Sequence, residues 1–166
     1  MYTNNIMSQE SAIFEELGFD AKQVKLPEGA VVYAIARTYG LIMRKLSATY
    51  RRFGLSPAGF NLLLLLERGK DRGSFTQRKV GQCLVVSPSD MSGLVDRMER
   101  RGLVRRAEGK DRRSHLLQIT PKGSALVEKA WPHHSEAITQ MNREIRSKDV
   151  QALLRVLGQL RAAMGL

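Results

Sequence analysis

Five cations fall within nine residues of this chain: Arg105, Arg106, Lys110, Arg112 and Arg113, with Gly109 and Asp111 among them. Clustered guanidinium and ammonium groups make and break no bonds; they recognise anions. The densest anion a protein meets is nucleic-acid phosphate, where each neutralised charge releases a condensed counterion. An arginine fork can also read a guanine edge or enter a narrow, strongly negative minor groove. Other groups with reactive side chains are sparse. His133 and His134 are adjacent, so on a helix they point about 100° apart and do not readily share a metal, and His115 lies far from both. Cys83 is the one cysteine, read here as a structural thiol on the buried side of a short helix. No nucleophile–base pair, glycine-rich phosphate loop or paired-carboxylate site is present, so the residues make no case for an enzyme, a cofactor or a bound metal.

The charge follows the same cluster. Of the net +11 over 166 residues, residues 54–120 carry 13 lysines and arginines against 7 acids, a net of +6, compared with +2 before and +3 after. The middle of the chain is where an anionic partner would sit, and double-stranded DNA is the first to test. At 43% hydrophobic and 26% charged the composition is that of a soluble globular protein, with one large domain or two small ones. The apolar run "NLLLLLERG" falls far short of the roughly 20 residues of a membrane span, so no membrane partner is expected. The N-terminus lacks the basic, apolar, small-residue order of a signal peptide, and one cysteine forms no intrachain disulfide; a cytoplasmic location is the expectation.

The elements that must hold these residues announce themselves at their ends. Ser56-Pro57, Ser87-Pro88 and Thr120-Pro121 each place a hydroxyl at an N-cap and a proline at the first helical position. Ahead of them, Val32, Ile35, Tyr39, Ile42, Met43, Leu46, Tyr50 and Phe53 recur every three or four residues, which predicts a long amphipathic helix over residues 30–52. A short helix is expected around Ser11–Leu17, with Pro27-Glu28-Gly29 breaking the chain after it. The next helices run from Ser56 to near Glu67, from a Thr76 cap to near Leu84, and over residues 88–101 with Asp90 in a capping box and Gly102 as the stop. "GLV" and "HLLQIT" then read as two short strands around the basic loop. A helix from Pro121 that must kink near Pro132 follows, then a last helix capped by Ser147 that repeats Val150, Leu153, Leu154, Leu157 and Leu160. That repeat exceeds what one shallow contact needs, and a dimer seam is its expected use.

Helices over 76–84 and 88–101, joined by "VVS", form a helix-turn-helix, and the order helix, helix, helix, strand, basic loop, strand is that of a winged helix. On the second helix, Met91, Leu94, Val95 and Met98 face the core, leaving Ser89, Ser92, Gly93, Asp96 and Arg97 on the other side. Ser89, Ser92 and Gly93 are short enough for close approach to base edges. Arg97 either bonds guanine bidentately or clamps a phosphate. The helix N-terminus with Ser87 offers amides to a phosphate, and Gln77 and Arg78 can touch backbone phosphate.

The stretch "SPSDMSGLVDRMERRGLVRRAEGKDRRSHLLQITPKG", residues 87–123, resembles the signature of the MarR (multiple antibiotic resistance regulator) family of bacterial transcription factors, and "GLSPAGFNLLLLL" at 54–66 sits where that family has its own Leu-Ser opening. The resemblance covers about residues 30–166. It implies a mainly α (α+β) fold: a winged helix-turn-helix over 54–120 with dimerisation helices over 30–53 and 121–166. Residues 1–29 lie outside the resemblance and are expected to form an N-terminal extension, an arm that packs on the partner subunit. It also implies a homodimeric repressor on a palindromic operator, released by a small aromatic or phenolic effector. In the wing, Arg113 matches the family arginine that enters the minor groove, and Asp111 matches the acid that orients it. Arg105, Arg106, Lys110 and Arg112 then supply phosphate attraction. Tyr39, Met43 and Trp131 are candidates to line the effector cavity, though the same spacing suits plain core. Two other readings stay open: an architectural or RNA-binding winged-helix protein without a specific operator, and a redox-responsive regulator acting through Cys83.

Overall fold

The computed structural model describes residues 11–20, 27–70, 75–84, 87–108 and 115–165. In chain order the elements are α1, helical over residues 11–16, then α2 (Pro27–Arg51), α3 (Pro57–Arg68), α4 (Gln77–Leu84), α5 (Pro88–Arg100), β1 (Val104–Glu108), β2 (His115–Ile119), α6 (Pro121–Asn142) and α7 (Ser147–Ala163). The fold is the mainly α winged helix-turn-helix expected from the order of elements. Two compact units divide it, residues 1–48 and 49–166.

In the first unit, Phe14 is buried with Tyr33 packed edge-on at 5.9 Å, and Phe19 approaches the same ring at 5.9 Å. The chain turns after α1 at Gly18, whose φ of 79° suits a residue without a Cβ. Pro27 opens α2 instead of breaking the chain: a proline without an N–H costs nothing in a first turn, whose amides have no intrahelical partner anyway.

The second unit holds the caps that the sequence announces. Ser56 Oγ accepts from the Gly59 N–H at 3.1 Å, Ser87 Oγ from Asp90 at 3.2 Å, and Thr120 Oγ1 from Gly123 at 3.1 Å. Thr76 Oγ1 does the same for Lys79 at 3.2 Å. Helix α5 stops at Gly102, with φ 66°, where the Gly102 N–H reaches the Glu99 carbonyl at 2.8 Å and the Leu103 N–H reaches that of Met98 at 3.0 Å. Ser147 does not cap α7. The cap position falls on Arg146, which makes no side-chain cap bond; its Nε donates to Asp149 at 2.6 Å, so Ser147 is already the first helical residue. Helix α6 is continuous over Pro121–Asn142 with Pro132 inside it.

Helix α3 is the centre of this unit. Its Phe60, Leu62, Leu63 and Leu66 are buried together with Tyr50, Val80, Val95, Leu117 and Val127. Burial of each large side chain contributes about 1.5–3 kcal/mol. The Tyr50 and Phe60 rings stack with centroids 4.4 Å apart. Glu67 accepts from Ser124 at 2.6 Å and Arg68 pairs with Glu128 at 2.9 Å, which holds α3 against α6. Strands β1 and β2 are antiparallel, with Val104 opposite Ile119 and Arg106 opposite Leu117. The Leu117 N–H donates to the Phe75 carbonyl at 2.7 Å, and Thr76 bridges Leu116, so the entry to α4 pairs with the free edge of β2.

Candidate nucleic-acid interface

Helix α5 has the two faces its sequence spacing requires. Met91, Leu94, Val95 and Met98 are buried, while Ser89, Asp96 and Arg97 are exposed and Ser92 and Gly93 are half-exposed. Its position is set partly by polar links. Gln77 Nε2 donates to Ser92 Oγ at 2.8 Å, and Ser92 Oγ donates to the Pro88 carbonyl at 3.1 Å, so the first turn of α4 grips the first turns of α5. At the other end, the Arg101 guanidinium donates to the carbonyls of Gly54 and, at 3.2 Å, Phe53. Lys122 Nζ donates to the Arg101 carbonyl at 2.8 Å. Both anchors are absent from the sequence reading, since each pairs a side chain with backbone more than twenty residues away in chain order.

Among the described residues Arg97 has no acidic partner, and its guanidinium lies across Gly93, where a Cβ would meet Nη1 at 3.3 Å. An exposed guanidinium over a helix surface kept low by glycine and serine suits close approach to a groove. At the N-terminus, Ser87 Oγ accepts from the Asp90 N–H and donates to the Asp90 carboxylate at 2.6 Å, with Ser89 Oγ at 3.2 Å. The capping box thus occupies one of the amides expected to meet a phosphate and sets a carboxylate beside it. Arg78 is exposed on α4.

The two arginines at 105 and 106 lie in strand β1, not in the loop, and alternation sends them opposite ways. Arg105 is exposed. Arg106 turns to α5, where Nη2 donates to Asp96 at 2.6 Å and Nη1 donates to Glu99, while its backbone N–H reaches Glu99 Oε1 at 3.2 Å. The Asp96 hydrogen bond, helped by Glu99, holds its pKa above the ordinary arginine value. With the arginine side chain 27% exposed, screening limits the stabilisation from such a pair to about 0–1 kcal/mol. The signal for this placement was present: Arg106 shares its strand face with buried Val104, and Asp96 and Glu99 stand three apart on α5. Lys110, Asp111, Arg112 and Arg113 lie outside the described residues.

Of the residues named for an effector cavity, Tyr39 is 62% exposed and Met43 and Trp131 are half-buried. Trp131 lies beneath the Arg68 guanidinium, 4.0 Å from the ring centroid, and its ring is 5.3 Å from that of His134. His134 in turn meets Tyr50, an arrangement with no local sequence signal. Cys83 is exposed, not buried: it sits on the outer side of α4 and lines a shallow hollow with Leu64, Leu65, Arg68 and Leu84. Helix α4 buries only Val80 and Gly81, so one turn further its side chains face outward. On α7, Leu153 is 51% and Leu154 54% exposed, and Val150, Leu157 and Leu160 are half-exposed. Among the described residues no group of three or more His, Cys, Asp or Glu side chains is placed to hold a metal ion, and no helix is long and apolar enough to cross a membrane.

A family model described as the MarR family matches residues 53–114, from the turn before α3 through the wing. The helix-turn-helix-type transcriptional regulator MhqR of Bacillus subtilis is 27% identical over 124 residues, covering 74% of this chain and 83% of that protein. The crystal structure of a MarR family regulator from Silicibacter pomeroyi is 29% identical, with a TM-score of 0.67 over 82% of this chain and 90% of that one. That of CouR from Rhodococcus jostii, bound to p-coumaroyl-CoA, is 26% identical, with a TM-score of 0.69 over 78% of this chain and 90% of that one.

Proposed function

The chain belongs to the MarR family of DNA-binding transcriptional regulators, and on that footing we propose that it acts in the cytoplasm as a homodimeric repressor of a palindromic operator, released by a small aromatic ligand. The observation that carries the DNA-reading part is α5 itself. One face is locked in the core by four apolar side chains, and the other presents short residues and a guanidinium with no acidic partner among the described residues. Ser89, Gly93 and Arg97 then reach base edges or phosphate, Gln77 and Ser92 hold α4 and α5 in register, and Arg78 and Arg105 attract phosphate. In the wing, Arg113, oriented by Asp111, enters the minor groove, with Lys110 and Arg112 adding unspecific attraction.

The exposed leucines of α7 support the dimer, since they need an apolar cover that two-fold pairing with a second copy would supply. A released form needs a ligand whose affinity differs between the DNA-competent and incompetent states. The solved structure of CouR is bound to p-coumaroyl-CoA, which supports an aromatic effector here. Selection of genomic fragments by the purified protein tests the reading. The expected result is a palindrome bound far more tightly than unselected duplex at physiological salt. Equal binding to all duplexes would instead favour an architectural role.

A further inference from the structure

We infer that Arg106 is a positioning residue, which sets the angle between strand β1 and the recognition helix α5 through Asp96 and Glu99 and does not meet DNA phosphate. The inference rests on the DNA-binding reading and adds to it.

Three features carry it. The first is direction. Val104 and Arg106 share one face of β1; Val104 is buried against the unit's core, so Arg106 points the same way, while Arg105 on the opposite face is exposed. The second is the number of bonds. Two guanidinium nitrogens and the backbone N–H of the same residue all donate to two carboxylates three residues apart on α5. Glu99 therefore holds the main chain and the side chain of Arg106 at once, which fixes the strand and not merely a side-chain tip. The third is charge. Among the described residues one guanidinium faces two carboxylates, a net of −1, so this cluster repels a phosphate. The other strand is tied elsewhere, by the Leu117 N–H to Phe75 and the bridge from Thr76 to Leu116. The hairpin is thus held through β2 to the entry of α4 and through β1 to α5, and Arg106 is the polar part of the second tie.

The test uses the full chain and two duplexes: one that the wild-type protein selects from a randomised pool, and an unselected one of equal length. The double variant Arg106→Gln with Asp96→Asn keeps the cluster's net charge of −1, because Glu99 remains. We expect it to lose about tenfold in affinity for the selected duplex, with affinity for the unselected duplex and the dependence on salt unchanged. Arg106→Lys, which keeps the charge but cannot fork between two carboxylates, should lose a similar factor. Thermal unfolding of the same proteins separates positioning from loss of fold, and Arg106→Lys serves as the readout if the double variant does not fold. The inference is overturned if either variant binds the selected duplex as the wild type does. It is equally overturned if Arg106→Gln lowers the slope of log affinity against log salt by about one, the mark of a lost phosphate contact. A wild type that selects no duplex would remove the underlying reading, whereas one that selects a duplex its variants bind equally well would remove the inference alone.

Discussion

The hydroxyl of Tyr50, at the end of α2, lies 2.7 Å from Nδ1 of His134 in α6, joining residues 84 apart in sequence. Burial pushes the Tyr50 phenol up to about 12 and lowers the His134 imidazole below its ordinary value. Both shifts favour neutral groups, and which of the two donates is set by the imidazole tautomer; Phe60 is stacked on Tyr50 and lies 5.0 Å from His134.

A pH dependence follows from these directions. The unfolded chain takes up a proton at the ordinary histidine value of about 6.5, which folded His134 resists. Stability from this group is therefore full above that pH and falls as pH drops through and below it. Tyr50 acts at the other end, because the unfolded phenol ionises near its model value of 10 and the folded one near 12, so stability falls as pH rises through that interval. Urea unfolding midpoints across pH 5–11 measure both limbs. Tyr50→Phe should cost about 1 kcal/mol at neutral pH and flatten the alkaline limb. An acid limb that persists unchanged in His134→Gln would assign the loss to other groups.

Gly123, in the first turn of α6, sits against Leu103, the residue before β1, and Ile119 at the end of β2. A Cβ there would lie 2.3 Å from the Leu103 carbonyl oxygen and 2.7 Å from Ile119 Cγ1. The first neighbour is backbone and cannot rotate away, so Gly123→Ala should destabilise the fold by about 1–3 kcal/mol. A thermal midpoint equal to that of the wild type would contradict this close approach.

Exposed leucines on α7 make the dimer testable without DNA. Leu154→Lys should convert a dimer to a monomer in light scattering, because the charge must be desolvated at an apolar seam. Leu153→Lys is expected to act in the same direction. Wild-type protein that scatters as a monomer at micromolar concentration would rule out the seam.

The proposed contacts to DNA divide by kind. Arg113→Ala should weaken operator binding by roughly 1–3 kcal/mol, as loss of a groove contact does. Arg105→Ala, the loss of a phosphate contact, should weaken selected and unselected duplex alike and reduce the salt slope by about one. Unchanged affinity of Arg113→Ala at fixed salt would sink the groove assignment.

The exposed Cys83 thiol separates the effector reading from a redox one. Alkylation of Cys83, or Cys83→Ser, should leave operator binding and its release by an aromatic acid unchanged. Loss of release on alkylation would move control to the thiol, whose exposure gives oxidants access.

Much of this molecule was legible because its signals are local. The caps at Ser56, Ser87 and Thr120, the stop at Gly102 and the apolar spacing of α5 each depend on residues three or four apart, and each is seen where expected. Ser147 misled for the opposite reason: a hydroxyl ahead of a helix caps it only if the backbone turns there, and here the turn comes one residue earlier. The exposure of Cys83 depended on how few residues α4 buries, which periodicity over eight residues does not reveal.

The sequence by itself thus determined the order of elements, the winged helix-turn-helix and the family, because backbone hydrogen bonds and side-chain period are set by near neighbours. Only the tertiary structure decided which arginines meet carboxylates. Arg97 and Arg106 are the same residue type within ten positions of each other, yet one lies open over Gly93 and the other is held by Asp96 and Glu99. The physical reason is distance: an ion pair needs its partners within about 4 Å, and only the packing of β1 on α5 brings that arginine and those carboxylates together.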